Sequence, residues 1–390
     1  MVLVDKQKSR LSFLQCSACD KTFQPQQIHT FASCEKCGKS PLVSNYELEG
    51  LDKQAIRQSE RSMWRYATVL PVFNPENIVS LGEGWTPILK VKRIADHLGL
   101  PGLLVKDESQ NPTGSFKARG MSAAISKAKE LGIQNCIVPT AGNAGGAMAA
   151  YCAHAGMSAT VVMPSHTPAA FQKECEYFGA RVILVDGFIS DCAKEVGEIN
   201  ADGNYFDVST MKEPYRLEGK KTMGYEIAEQ LNWILPDVIL YPTGGGTGLI
   251  GMYKAFREMI QMGWIENKLP RFVAVQSENC MPVVESFLGK TISGCRPTIA
   301  NGLAVPTPFA ARMIQQALNE THGDAIAVSE KEIRQGVKDM AVLEGLFLSP
   351  EGGALIPALR NLIVSGFVEP NEQVLLLNTG GGYKYLENLE

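Results

Sequence analysis

The sequence predicts an α/β protein built on parallel sheets with helices on both faces, preceded by a small cysteine-paired segment. Three observations carry this expectation. From about residue 100, short β-rich runs alternate with segments of helical apolar spacing. Polar glycine loops follow three of those runs, after Val138, Tyr241 and Leu377. The first 48 residues stand apart and hold Cys16-x-x-Cys19 and Cys34-x-x-Cys37.

Taken in order, residues 1–48 read as a zinc-ribbon-like segment. Each CxxC turn points two thiolates at one place, so Cys16, Cys19, Cys34 and Cys37 form a candidate tetrahedral, structural zinc site. Residues 49–390 read as one catalytic region, with roughly 120–208 as a smaller mobile lobe and the remainder as a larger lobe. The strand expectations are Cys136 to Val138, Ala159 to Met163, Arg181 to Val185, Val238 to Tyr241, Phe272 to Gln276 and Val374 to Leu377. Helical spacing runs through Phe171 to Phe178 and Leu249 to Met262. No Asp, Glu, Lys or Arg occurs between Glu130 and Lys173, which suggests a membrane span at first sight. Pro139, Gly142, Asn143, Gly145 and Gly146 break that stretch into short pieces, so it reads as buried strand, loop, small-residue helix and buried strand.

Composition narrows the function classes. The chain has 390 residues, 45% hydrophobic and 20% charged, with net charge −4, ordinary for a globular protein with a sizeable core. No basic field exists to draw nucleic acid or an anionic membrane. Ten cysteines are too dilute for a disulfide scaffold, and the N-terminal MVLVDKQKSR lacks a secretory apolar core, so a reducing cytoplasm is expected. Cys136, Cys152, Cys175, Cys192, Cys280 and Cys295 read as small hydrophobes.

The chemistry concentrates in four places. Asn111-Pro112-Thr113-Gly114-Ser115-Phe116-Lys117 sets one lysine in a turn directly before a helical segment. Thr243-Gly244-Gly245-Gly246-Thr247-Gly248 follows a strand and precedes a helix, so its bare N–H groups and the helix dipole suit a phosphate. A lysine nucleophile with a phosphate cradle suggests pyridoxal 5′-phosphate (PLP), held as a Schiff base and by its phosphate. Thr140-Ala141-Gly142-Asn143-Ala144 sits at another strand-to-helix junction and offers N–H groups to a substrate carboxylate, with Asn143 facing the cofactor's phenolic oxygen. Arg216 has a guanidinium fork that matches phosphate oxygens; a surface ion pair with Glu213 or Glu218 is its other reading.

Together these motifs resemble the fold-type II PLP enzymes (tryptophan synthase beta-like), and among them the threonine synthases. The resemblance covers nearly the whole chain, most securely residues 80–385. Pro214 to Thr222 is similar to the family stretch with a phosphate-binding arginine, and Leu377 to Gly382 to its loop facing the pyridine nitrogen, which would place Thr379 there. The resemblance implies a lyase of threonine biosynthesis that turns O-phospho-L-homoserine and water into L-threonine and phosphate. It implies Lys117 as catalytic group and Gly244, Gly245, Gly246, Thr247, Gly248, Asn143 and Thr379 around PLP. Thr140, Ala141, Asn143, Ala144, Arg216 and Lys220 would then hold the substrate. Two departures stand out: Ala118 stands where the family often has Asp, and Ala144 where it has Thr, which makes the Gly142-Asn143-Ala144 loop closer to that of serine/threonine dehydratases. A dehydratase or another PLP β-replacement enzyme is therefore the alternative. A small phosphorylated amino acid is the expected partner, with no nucleic acid or membrane, in a cytoplasmic homodimer.

Overall fold

Three sheets organise the chain in the computed structural model, which describes residues 8–25, 34, 36 and 41–389. The first is antiparallel: β1 (Leu11–Cys16) lies between β2 (Thr22–Phe23) and β3 (Leu42–Tyr46). Its buried Leu11, Leu14, Cys16 and Leu42 join a core with Met121, Ile125 and Met148 of the following region. The cysteine segment is thus packed onto the region that follows it.

After β4 (Ile88–Lys90) and β5 (Leu103–Asp107) the chain builds a parallel four-stranded sheet. Its strands are β6 (Asn135–Pro139), β7 (Ser158–Pro164), β8 (Arg181–Val185) and β9 (Phe206–Asp207), in the order β8-β7-β6-β9. The charge-free stretch supplies β6 and β7, and among the described residues no helix is long and apolar enough to cross a membrane. The large sheet adds β10 (Val238–Pro242), β11 (Arg271–Ser277), β12 (Asp324–Val328) and β13 (Val374–Asn378). Its order is β12-β11-β10-β13-β5-β4, parallel except for β4 against β5. Strands β5, β10 and β13 are buried along their whole length, because helices cover both faces.

As far as Gln261 the α-helices among the described residues are α1 (Lys92–Leu98), α2 (Lys117–Glu130), α3 (Asn143–Ala155), α4 (Ala169–Tyr177), α5 (Ile189–Ile199), α6 (Arg216–Gln230) and α7 (Thr247–Gln261). Helix α6 runs between α2 and α7 and is buried from Arg216 to Ala228. A Cβ on Gly219 would lie 2.0 Å from the carbonyl oxygen of Arg119, so only glycine lets α6 come this close to α2. The charges this burial traps are paired. Arg119 bonds Glu108 and Glu226, each at 2.6 Å, and Lys106 bonds Glu226 at 2.9 Å. These four groups tie β5, α2 and α6 together beneath the site; burial alone would raise the Glu226 carboxyl, but Arg119 and Lys106 outweigh it and hold it at about 2.

One cysteine expectation is corrected. Cys280 and Cys295 are joined in a disulfide rather than acting as separate small hydrophobes. Their separation of 15 residues spans a loop that the sequence does not mark.

Candidate active site

Lys117 is the first residue of α2 and is half-buried. The turn before it takes left-handed backbone at both Thr113 (φ 60°) and Gly114 (φ 67°). A threonine in that region is strained by the order of 1 kcal/mol, and such strain persists only where the surroundings fix it. Here they do. The Phe116 N–H donates to the Thr379 carbonyl at 3.0 Å and the Gly381 N–H to the Gly114 carbonyl at 3.0 Å. The lysine turn and the loop after β13 are therefore one hydrogen-bonded unit. Burial, then the positive charge of Arg216, lower the Lys117 amine to about 8, with Glu351 opposing.

Gly244 to Thr247 cross from β10 to the start of α7, with Gly246 left-handed at the cap (φ 69°). A Cβ on Gly244 would meet the Gly302 carbonyl oxygen at 2.1 Å, so that position must stay bare. The result is unobstructed backbone at a helix N-terminus facing a cavity, as an anion requires. Lys220, on α6, donates to the Thr247 hydroxyl at 2.5 Å and lies 5.0 Å from the Phe116 ring. Burial lowers its amine well below the ordinary range, and the charges of Arg216 and Lys117 add to the lowering.

Across the cavity, Thr140 to Ala144 form the β6-to-α3 turn. The Asn143 side-chain amide donates to the Tyr385 hydroxyl at 3.0 Å and its oxygen accepts from Lys384 at 3.4 Å, which fixes the side chain. Lys384 also pairs with Glu174 of α4 at 2.6 Å.

Arg216 opens α6 and is 2% exposed. Its Nη1 donates to the Val208 carbonyl, while Nε and Nη2 are buried without a partner. The surface ion pair is not what forms: Glu218 pairs with Lys221 and Lys254, and the Glu213 carboxylate accepts the Tyr215 and Arg216 backbone N–H groups. Burial pushes Glu213 up to about 7 against the pull of Arg216 and those N–H groups.

One cavity is lined by Lys117, Thr140, Ala141, Asn143, Ala144, Arg216, Gly244 to Thr247 and Thr379. Gly248 and Lys220 are absent from its lining: Gly248 packs on the Tyr241 ring and Lys220 lies behind Thr247. The residue set fits PLP, with an amine, a bare-backbone anion cradle, a held amide and a hydroxyl on one cavity. Sequence reasoning missed Glu351 and Tyr385, which line the same cavity. Glu351 sits in Pro350-Glu351-Gly352-Gly353, a polar glycine turn opening a helix, the same kind of signal that marked the other loops. Elsewhere, the sulfur atoms of Cys16, Cys19 and Cys34 lie within 4.8 Å of one another, and Cys37 lies outside the described residues.

The chain matches the pyridoxal-phosphate dependent enzyme family over residues 79–380. It is 32% identical to a threonine synthase of Methanocaldococcus jannaschii over 377 residues, covering 95% of this chain and 92% of that one. It is also 32% identical to a threonine synthase of Methanosarcina acetivorans (94% and 91% covered) and 34% identical to one of a Bacillus species (82% and 89%). In fold it is similar to a maize serine racemase (TM-score 0.66, 22% identity, 78% of this chain and 93% of that one). It is likewise similar to a diaminopropionate ammonia lyase of Escherichia coli (TM-score 0.67, 17% identity, 80% and 87%). At these identities the solved structures speak for the fold alone.

Proposed function

Since the chain belongs to the pyridoxal-phosphate dependent enzyme family, we propose that it converts O-phospho-L-homoserine and water to L-threonine and phosphate. The observation that carries the substrate choice is Arg216. It brings two unpartnered, buried N–H donors to a cavity that already has a cradle for one phosphate, so a second anion is wanted there. A dehydratase substrate with no phosphate has no use for them.

In this reading Lys117, Asn143, Thr379 and the Gly244 to Thr247 backbone hold PLP, and Lys220 supports the cradle through Thr247. When bound, PLP supplies an electron sink that stabilises negative charge next to Cα. Lys117 moves protons at Cα and Cβ, a role for which an amine lowered to about 8 is well matched, and the proton taken from Cβ is returned at Cγ, which becomes the methyl carbon once the phosphate has left. Arg216 grips the substrate phosphate and balances its charge as the bond to Cγ breaks. The backbone N–H groups of Ala141, Asn143 and Ala144 orient the carboxylate, those of Thr140 and Gly142 being given to the Val162 carbonyl and the Thr140 hydroxyl. Thr379 offers a neutral hydroxyl, which leaves the ring less able to draw charge away and favours leaving-group departure.

We place the catalytic region at 49–390, with 120–208 as the smaller lobe, supported by the separate four-stranded sheet. Cys16, Cys19, Cys34 and Cys37 are proposed to hold a structural zinc. Their support is three converging sulfur atoms, since zinc at ~2.3 Å from each thiolate needs sulfurs about 3.8 Å apart. A cytoplasmic homodimer is proposed on the resemblance alone. The test of function is a paired assay with PLP and O-phospho-L-homoserine. Equal release of phosphate and threonine supports the proposal; pyruvate or 2-oxobutyrate from serine or threonine, with no phosphate release, would move the enzyme to the dehydratases.

A further inference from the structure

Lys384 and Tyr385 lie in the turn that follows the Thr379 loop, and both bond the side chain of Asn143. An ammonium has three N–H donors and no acceptor. Lys384 directs its donors to the Thr113 carbonyl at 2.7 Å, the Glu174 carboxylate at 2.6 Å and the Asn143 side-chain oxygen at 3.4 Å. The Tyr385 hydroxyl has one proton, which it gives to Oε1 of Glu351 at 3.1 Å. Towards Asn143 it is therefore an acceptor, and it takes one N–H of the amide at 3.0 Å.

An asparagine amide can turn over, exchanging its oxygen for its NH2 with almost no change of shape, so its partners decide which end faces which way. A hydroxyl can swing its proton to suit either end. An ammonium cannot: a turned amide would set its NH2 against Lys384, donor against donor. Lys384 is thus the stricter of the two partners. With the oxygen held there and one N–H held by Tyr385, the second N–H is what Asn143 keeps for the cavity that it lines together with Lys117.

We propose that Lys384 is a positioning residue that makes Asn143 a hydrogen-bond donor, never an acceptor, to the cofactor's phenolic oxygen. A donor there favours the ionised oxygen, with the proton kept on the nitrogen that Lys117 contributes. That cationic nitrogen makes the adjoining carbon the better electrophile for the substrate amine. An acceptor there would favour the opposite arrangement, with the proton on oxygen and a neutral nitrogen. Lys384 also bonds the carbonyl of Thr113, whose left-handed backbone shapes the Lys117 turn, so one ammonium holds the lysine turn and Asn143 in register.

This inference rests on the reading in which Asn143 faces the phenolic oxygen of PLP, and the experiment separates the two. Absorbance spectra are compared, at one pH, for the holoenzyme and its Asn143→Asp, Lys384→Met and Lys384→Arg variants. The form with an ionised phenolic oxygen absorbs in the visible, and the form that keeps the proton there absorbs in the near ultraviolet. Asn143→Asp replaces the donor by an acceptor and should move absorbance to the near ultraviolet. If its spectrum matches that of the unaltered holoenzyme, Asn143 does not face that oxygen, and the inference falls with the reading. If it moves, Lys384→Met is expected to lower the visible-to-ultraviolet ratio about tenfold, the size of one lost hydrogen bond to a charged acceptor. Lys384→Arg, again a donor only, should restore most of the ratio. An unchanged ratio in Lys384→Met overturns the proposal even if thermal unfolding shows a less stable protein, because a lysine that merely ties loops together does not choose between amide orientations. Should Lys384→Met not fold or not hold PLP, Lys384→Gln carries the test. Its amide can serve either orientation of Asn143, so the ratio must still fall, and an unchanged ratio there is equally fatal.

Discussion

Replacing Arg216 by methionine separates the demands of folding from those of the substrate. In the protein without ligands, the guanidinium is buried with Nε and Nη2 unpaired. Each orphan donor costs about 1–3 kcal/mol, whereas the one good hydrogen bond, to the Val208 carbonyl, returns about 1 kcal/mol. Filling the space with an apolar side chain of similar reach should therefore leave the cofactor-free protein as stable as before, or more stable by about 1–4 kcal/mol. Turnover should move the other way. Truncating one member of a buried, hydrogen-bonded charge pair costs about 2–5 kcal/mol, or roughly 30- to 5000-fold in kcat/KM for the phosphorylated substrate. Deamination of serine or threonine, which presents no phosphate, should change little. Denaturant unfolding and steady-state kinetics on both substrate classes read the two effects. The reasoning is refuted if the methionine variant loses several kcal/mol of stability, or if both substrate classes suffer equally.

Other expectations follow from the same geometry. In cofactor-free protein, acylation of Lys117 followed by mass spectrometry should show a midpoint near pH 8, because the neutral amine is the reactive form and burial favours it. The linked stability has a definite sign: between about 8 and the unfolded value near 10.5 the unfolded chain binds the extra proton, so this group makes the native state gain stability as pH rises there. A Lys117→Met variant should lose that slope in pH-dependent unfolding. Gly219→Ala should destabilise by at least about 1–3 kcal/mol by denaturant unfolding, since its methyl would stand 2.0 Å from the Arg119 carbonyl oxygen and force α2 and α6 apart. Chelation should strip one zinc per chain and speed proteolysis within residues 8–48 while PLP absorbance persists; immediate loss of the cofactor would contradict a purely structural metal.

What was legible in the sequence was local. Lys117, the two glycine loops and the Thr379 loop are short-range signals, and each lies at a strand-to-helix junction or a turn that the chain builds from neighbouring residues. The structure adds why they meet: the Lys117 turn is hydrogen-bonded to the loop after β13, more than 250 residues later. Glu351 was legible only as part of a polar glycine turn opening a helix, and Tyr385 not at all, because what brings them to the cavity is contacts 49 and 34 residues apart in the chain. Helix α6 misleads in the other direction. Arg216-Leu217-Glu218-Gly219-Lys220-Lys221 has the charge of a solvated face, yet it is buried because Glu218 and Lys221 pair with each other and with Lys254 and Glu258. Lys220 differs from its expectation: the resemblance implies a substrate-holding residue beside Arg216, but its amine donates to Thr247 at the glycine loop.

The most direct test of the account is turnover of O-phospho-L-homoserine in ¹⁸O-labelled water. Elimination at Cγ followed by hydration at Cβ predicts one ¹⁸O in the hydroxyl of threonine and none in the released phosphate. Label in the phosphate, with homoserine as the organic product, would mean that water attacks phosphorus, and that the lysine, the glycine cradle and Arg216 serve a different reaction.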